Sequence, residues 1–249
     1  MLAPLAGIVG LLVVWEAAVR ALDIRRFVLL APSAILAELA DQPGIYWDNT
    51  LVTARHMAVG LAISLVVSVL LGSAMAASRW LDEAMQPVLI LILVTPWVAY
   101  ITSVVIWLDF GERPILFLVA FTTCPVLTFG VVGGMRAADP AARELFASVD
   151  ASRFQVLWRL RLPSALPSIF TTARFAIGLA LAAAYFAETK ALDPSGLGVI
   201  GQRAALNQTS GAETLWTTIF CTAALGIAGL VVLSTAERLL LRWHASQRR

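Results

Sequence analysis

The sequence predicts an all-α integral membrane protein with about six transmembrane helices, and three observations carry that expectation. Of the 249 residues, 59% are hydrophobic and 14% charged, with a mean hydropathy of +0.83. That leaves too few polar side chains to cover a soluble domain of this size. The apolar residues also fall in runs of roughly twenty, the length of a helix crossing the hydrocarbon core. Finally, Trp47, Trp80, Trp107, Trp216 and Trp243 lie near the ends of those runs, where interfacial aromatics belong. The net charge of +2 says little about partners, and nothing points to nucleic acid. Cys124 and Cys221 sit inside apolar runs without metal-ligand spacing and read as buried thiols.

The first run, residues 5–22, contains Glu16. No basic segment precedes it, so a retained span is expected rather than a cleaved signal peptide. Glu16 should face other helices, where an acid costs less than in lipid. Residues 23–49 form a polar connection, in which Pro32-Ser33 and Ile35-Leu36 predict a short surface helix. The second span, residues 51–77, places Gly60, Ser64, Ser68 and Gly72 on one face at every fourth position. Small residues at that spacing predict close helix packing; a solute-lining stripe is the alternative. His56 in the same span is expected to be structural.

A short turn, residues 78–83, leads to the third span, residues 84–108, broken at Thr95-Pro96. A proline inside a span removes a backbone hydrogen bond and exposes carbonyls that must be satisfied from within the protein. After a polar turn at residues 109–113, the fourth span covers residues 114–134, with Thr122, Thr123, Pro125 and Thr128 close together. Hydroxyls beside a proline often satisfy freed carbonyls, and contact with a solute is the equal alternative.

Residues 139–163 are polar and lie between two apolar spans. Asp139 before Pro140 predicts a helix start, with the carboxylate capping free N–H groups. Leu145, Phe146 and Val149 then give this first helix an apolar stripe. A second helix should begin near Ser152, with Phe154, Val156, Leu157 and Leu160 apolar and Arg153, Arg159 and Arg161 basic, and Pro163 should end it. Two short amphipathic helices between spans should lie at the membrane surface and need a partner.

The fifth span, residues 164–187, ends in Ala187-Glu188. The only lysine, Lys190, follows and is expected to snorkel. Residues 191–213 are polar and Gly-rich, and residues 215–241 form the last span. Placing the 139–163 loop in the cytoplasm also puts both termini, Arg79, Arg136, Arg242 and the Arg248-Arg249 tail there, as the positive-inside rule requires. Arg20, Arg25 and Arg26, on the outer side, are the exception.

In the 139–163 loop the chain resembles the permeases of ABC importers, whose cytoplasmic loop carries EAA, three residues, Gly, nine residues, Ile, one residue, Leu-Pro. Glu144-Leu145-Phe146 occupy the EAA place, and Leu160, Leu162 and Pro163 fall in register. Asp150 stands at the Gly place, where a positive-φ turn is needed; Asp visits that region at some cost and could also cap the second helix, so the turn is expected to survive. Thr53 and Gly60 match the start of the second span in the nitrate, sulfonate and taurine branch, with Ala54 and His56 as departures. Thr95-Pro96 and Trp107 are similar to that branch's third span, where Thr102 replaces a second proline. Ala187-Glu188 followed by Gly196-Leu197-Gly198 is also similar to it.

The resemblance implies a type I ABC importer fold. Residues 1–50 would hold the first helix and an extracytoplasmic connection, and residues 51–249 the permease core with its coupling loop at 136–163. It implies ATPase coupling through Glu144, Leu145, Phe146, Val149, Asp150, Ala151, Ser152, Phe154, Leu157, Leu160, Leu162 and Pro163. Candidates for the translocation path are Trp97, Tyr100, Thr102, Thr122, Thr123, Thr128, Tyr185 and Glu188. The implied partners are ABC ATPase subunits, a solute-binding protein, a second permease chain that is identical or different, and the lipid bilayer. No G-x-x-x-x-G-K-[ST] phosphate cradle occurs, so no cofactor or metal is expected in this chain and ATP with Mg2+ belongs to the ATPase. The chain is expected to be a transport subunit in the inner membrane for a small solute delivered by the binding protein. The resemblance offers a small organic or inorganic anion such as a sulfonate, taurine or nitrate, and no residue set selects among solutes. A secondary transporter or channel would instead show related halves or a charged relay, and neither is evident.

Overall fold

The computed structural model describes residues 2–191, 195–207 and 211–241, with side chains from Ala6 onward. Arg242, Trp243 and the Arg248-Arg249 tail lie outside the described residues. All regular structure among those residues is helical. It consists of α1 (Leu2–Ala21), α2 (Pro32–Asp41), α3 (Pro43–Ala77), α4 (Arg79–Val94), a 3-10 turn (Trp97–Tyr100) and α5 (Ile101–Leu108). There follow α6 (Glu112–Arg136), α7 (Pro140–Ser148), α8 (Arg153–Val156), a π turn (Leu157–Arg161), α9 (Leu162–Glu188), α10 (Leu197–Leu206) and α11 (Ala212–Leu240).

Four helices are long and apolar enough to cross a membrane: α3, α6, α8–α9 taken together and α11; α4 with Trp97–Leu108 makes a fifth if that bent pair is one span. The 20-residue α1 covers the first predicted run, with Ile8, Val9, Leu11, Val13 and Val14 exposed. Its two charges are spent locally. The Glu16 carboxylate accepts from Ser33 N–H at 3.0 Å and Ser33 Oγ at 2.7 Å, and Arg20 Nε donates to it at 2.6 Å. Glu16 therefore caps α2, whose own N-cap, Ala31, has no acceptor.

Several predicted boundaries move. The second span begins at Pro43 rather than at residue 51, because Pro suits the first helical position and Tyr46 is buried with Leu197 and Cys221. The turn at 78–83 shrinks to Ser78, whose Oγ accepts from Leu81 N–H at 3.3 Å and starts α4 at once. The Thr95-Pro96 break is far more than a kink, turning the chain by 84°. Pro163 does not end its helix. It occupies the first turn of α9, preceded by the π turn, whose wider winding suits a residue that offers no N–H and crowds the carbonyl four positions back.

The core is built around α6, of whose apolar span 67% is buried, against 6% for α11. Gly60, Ser64, Ser68 and Gly72 are all buried and face α6: a Cβ on Gly72 would lie 2.7 Å from Val131, and one on Gly60 would overlap Val119. Close backbone approach is thus what the small-residue stripe provides. Val131 and Met135 also pack with Ala165 and Ile169 of α9, so that α3, α6 and α9 share this cluster. Met57, Val119, Ile177, Leu181 and Leu225 join α3, α6, α9 and α11 in a second cluster.

Candidate functional site

The 139–163 loop sits where α3, α6 and α9 meet. Asp139 Oδ1 accepts from Ala141 N–H at 2.9 Å, and Pro140 takes the first helical position. α7 then closes in a Schellman motif: Ala151 N–H donates to the Phe146 carbonyl at 3.0 Å and Asp150 N–H to the Ala147 carbonyl at 3.2 Å. Asp150 takes the left-handed position at φ 46°. It does not cap the second helix. Ser152 does so, since its Oγ accepts from Gln155 N–H at 3.2 Å while Gln155 Oε1 accepts from Ser152 N–H at 2.8 Å.

Two arginines bind this loop to the spans. Arg143 Nη2 donates to the Met135 and Arg136 carbonyls at 3.2 and 2.9 Å, and Arg161 Nη1 donates to the Ala76 carbonyl at 3.1 Å. They meet the free carbonyls at the C-terminal ends of α6 and α3, where a cation is electrostatically favoured. Arg136 pairs with Asp82 of α4 at 2.7 Å. With Arg143 and Arg161 turned toward the spans, the loop leaves apolar side chains outside: Leu145 is 64% exposed and Phe154 68%, with Val149 and Trp158 also exposed. The Phe154 and Trp158 rings lie 5.9 Å apart. Leu157 and Leu162 pack inward on the α6–α9 cluster. Phe146, Ala151, Leu160 and Pro163 are half-buried, whereas Glu144, Asp150 and Ser152 are exposed. Sequence reading passed over Arg143 and Trp158; the Phe154–Trp158 spacing of four was the signal for the latter.

The path candidates do not form one group. Trp97 packs edge-on against Phe186 at 5.9 Å and Tyr100 against Phe121 at 5.8 Å, both beside the broken span, while Thr102 is exposed. The Tyr100 hydroxyl is buried and has no hydrogen-bond partner. Thr122 and Thr123 are buried and donate to the Leu118 and Val119 carbonyls at 2.8 and 2.7 Å, so their hydroxyls are satisfied within α6. Thr128 is buried 3.7 Å from Cys124 Sγ.

Glu188 is enclosed in a polar knot and faces no open path in this conformation, because α3 and α10 wrap its carboxylate. Glu188 is 1% exposed and His56 2%, with His56 Nδ1 lying 2.8 Å from Glu188 Oε1. Thr53 Oγ1 and Gly198 N–H donate to Glu188 Oε2 at 3.0 and 2.9 Å. Leu197 N–H donates to Thr53 Oγ1 at 2.9 Å and Gly196 N–H to Asn49 Oδ1 at 2.6 Å. The first N–H groups of α10 are thus capped by α3 and α9, since Gly196 brings no side chain of its own. Gly196 adopts φ 120°, and a Cβ there would lie 2.5 Å from the Glu188 carboxylate; one on Gly198 would overlap the Tyr185 carbonyl. Tyr185 is half-buried beside Gly201 and Thr218.

Residues 64–244 match the model of a family described as binding-protein-dependent transport system inner membrane component. The formylaminopyrimidine transport permease of Halalkalibacterium halodurans is 27% identical over 95% of this chain and 94% of its own length. A riboflavin transport system permease of Chloroflexus aurantiacus is 29% identical over 95% and 88%. A putative aliphatic sulfonates transport permease of Escherichia coli is 26% identical over 95% and 89%. Among solved structures, a chain from an amino acid ABC transporter crystallised with histidines superposes with a TM-score of 0.63 at 13% identity, covering 82% of this chain and 97% of that one. At that identity the likeness bears on the fold alone.

Proposed function

This chain belongs to the family of binding-protein-dependent transport system inner membrane components, and from that premise we propose how its two ends work. It is a multi-pass inner-membrane permease subunit of an ABC importer for a small solute, with the all-helical type I fold. An ATPase-free secondary transporter is not favoured. The finer reading is that residues 139–163 form the cytoplasmic coupling element, with both termini on the same side of the membrane. Leu145, Val149, Phe154 and Trp158 would enter an apolar groove on an ABC ATPase, and Glu144 would pair with a basic residue there. ATP and Mg2+ would be held by that ATPase. Nucleotide-driven movement would then bias the permease between outward- and inward-facing states.

The observation that carries this reading is the uncovered apolar surface of the loop. Arg143 and Arg161 are turned inward onto helix ends while four large apolar side chains are left exposed. Each would gain about 1.5–3 kcal/mol on burial against a partner. A second permease chain and a solute-binding protein complete the proposed assembly. The solute is a small organic molecule of the kind named for the relatives, which carry a formylaminopyrimidine, riboflavin or aliphatic sulfonates.

Mild-detergent purification of the tagged chain, followed by mass spectrometry, tests the assembly. An ATPase should co-purify, alone or with a second permease, and Glu144→Arg should abolish both its retention and uptake. Retention and uptake that survive the charge reversal would set aside the Glu144 contact. Absence of any ATPase under gentle extraction would overturn the coupling reading.

A further inference from the structure

The helix that begins in the proposed coupling loop ends in the buried polar knot. From Arg153 to Glu188 the chain is one helical rod of 36 residues, with the π turn absorbed into it. At 1.5 Å per residue it is roughly 54 Å long, enough to cross the whole bilayer. Its last residue, Glu188, holds the Gly198 N–H of α10 and the Thr53 and His56 side chains of α3. The far end of α10 is held as well: Gly211 N–H donates to the Asn207 carbonyl at 2.7 Å, immediately before α11.

We infer that Glu188 and His56 are positioning residues that fasten α10 to the outward end of the α8–α9 rod, so that α10 moves with the loop as one body. The inference rests on the coupling reading above and extends it to the opposite face of the membrane. A hydrogen-bonded carboxylate buried among three elements is costly to open, because any separation leaves it and the α10 N–H groups unpaired. The direct contacts of Gly196 and Gly198 with Glu188 and Tyr185 leave no room for slippage. Displacement of the loop therefore reaches α10 undiminished. In reverse, a binding protein that presses on the outer face reports its arrival to the ATPase through the same rod.

The test uses the complete transporter with its ATPase and binding protein, reconstituted in lipid. Spin labels at exposed Phe175 on α9 and Arg203 on α10, in a background lacking Cys124 and Cys221, report the distance between the two elements. In the otherwise unaltered chain that distance should stay constant between the nucleotide-free and ATP-trapped states; a change above roughly 5 Å, one helical turn, would overturn the inference. In Glu188→Gln the distance distribution should broaden. Stimulation of ATP turnover by the loaded binding protein should fall at least about fivefold while basal turnover holds. Glu188→Asp should restore part of the stimulation.

Full stimulation in Glu188→Gln would overturn the inference. Should that variant fail to assemble, Thr53→Val, which removes the bridge between Leu197 N–H and Glu188, is held to the same readouts. Failure of the underlying coupling reading is separately visible, because the unaltered transporter would then show no ATPase response to binding protein at all.

Discussion

The polar knot around Glu188 and the loop at residues 139–163 are opposites in construction. The knot buries a carboxyl and an imidazole, and each of its polar contacts is made inside one chain. The loop exposes hydrophobic surface and turns two arginines, Arg143 and Arg161, inward. In the knot, Asn49, Thr53 and Glu188 accept from the three N–H groups that open α10, and His56 holds Glu188. In the loop, Arg143 and Arg161 meet the carbonyls that close α6 and α3. Both regions solve the same problem, unpaired backbone groups at helix ends. The knot solves it within the chain and leaves nothing over. The loop leaves Leu145, Val149, Phe154 and Trp158 without cover. A region complete in itself should be sensitive in stability; a region that awaits a partner should be sensitive in assembly.

Gly198→Val puts the comparison under the greatest stress. A branched side chain would overlap the Tyr185 carbonyl, and we expect a loss of at least about 4 kcal/mol, with little folded protein recovered in detergent. A normal thermal midpoint would mean that α10 is not locked to α9. His56→Ala should cost about 3–5 kcal/mol by leaving the buried carboxylate short of a partner, while His56→Asn, which keeps a donor, should cost less. Equal effects of the two would show that ring volume, and not the hydrogen bond, is what matters there.

In the loop, the double variant Leu145→Ser with Phe154→Ser should leave the thermal midpoint almost unchanged, within about 0.5 kcal/mol. Co-purification of the ATPase should nevertheless fall at least about tenfold. A large loss of stability instead would make these side chains part of the chain's own core. The smallest effect is expected from Asp150→Gly. Removing the Cβ from a left-handed position should stabilise the turn by about 1 kcal/mol, read as slower amide exchange at Ala151. Faster exchange would assign the Asp side chain a stabilising role.

Much of this was legible in the residues because helices in lipid satisfy their own backbone groups. The apolar runs, the Asp139-Pro140 start and the packing stripe on α3 all follow local rules of spacing and capping, and the left-handed residue at 150 followed from the resemblance of the loop. What escaped were features set by distant segments. Pro163 looks like a stop, yet it sits in the first turn of a helix that a π turn carries through. The break at Thr95-Pro96 was legible, but not its angle of 84°, which goes with α5 packing on α6 and the end of α9. Glu188 looks like a polar residue at a path, yet His56, 132 positions earlier, closes over it. The Arg143 and Arg161 bonds to helix ends also gave no local sign.

By itself, then, the sequence determined a helical membrane protein with a two-helix surface loop, because hydrophobic period, proline and caps act within a few residues. Only the tertiary structure decided which polar groups are enclosed and which apolar ones are left open. Burial depends on which helices lie side by side, and here that is set by small residues on α3 that admit α6 and by glycines on α10 that admit α9.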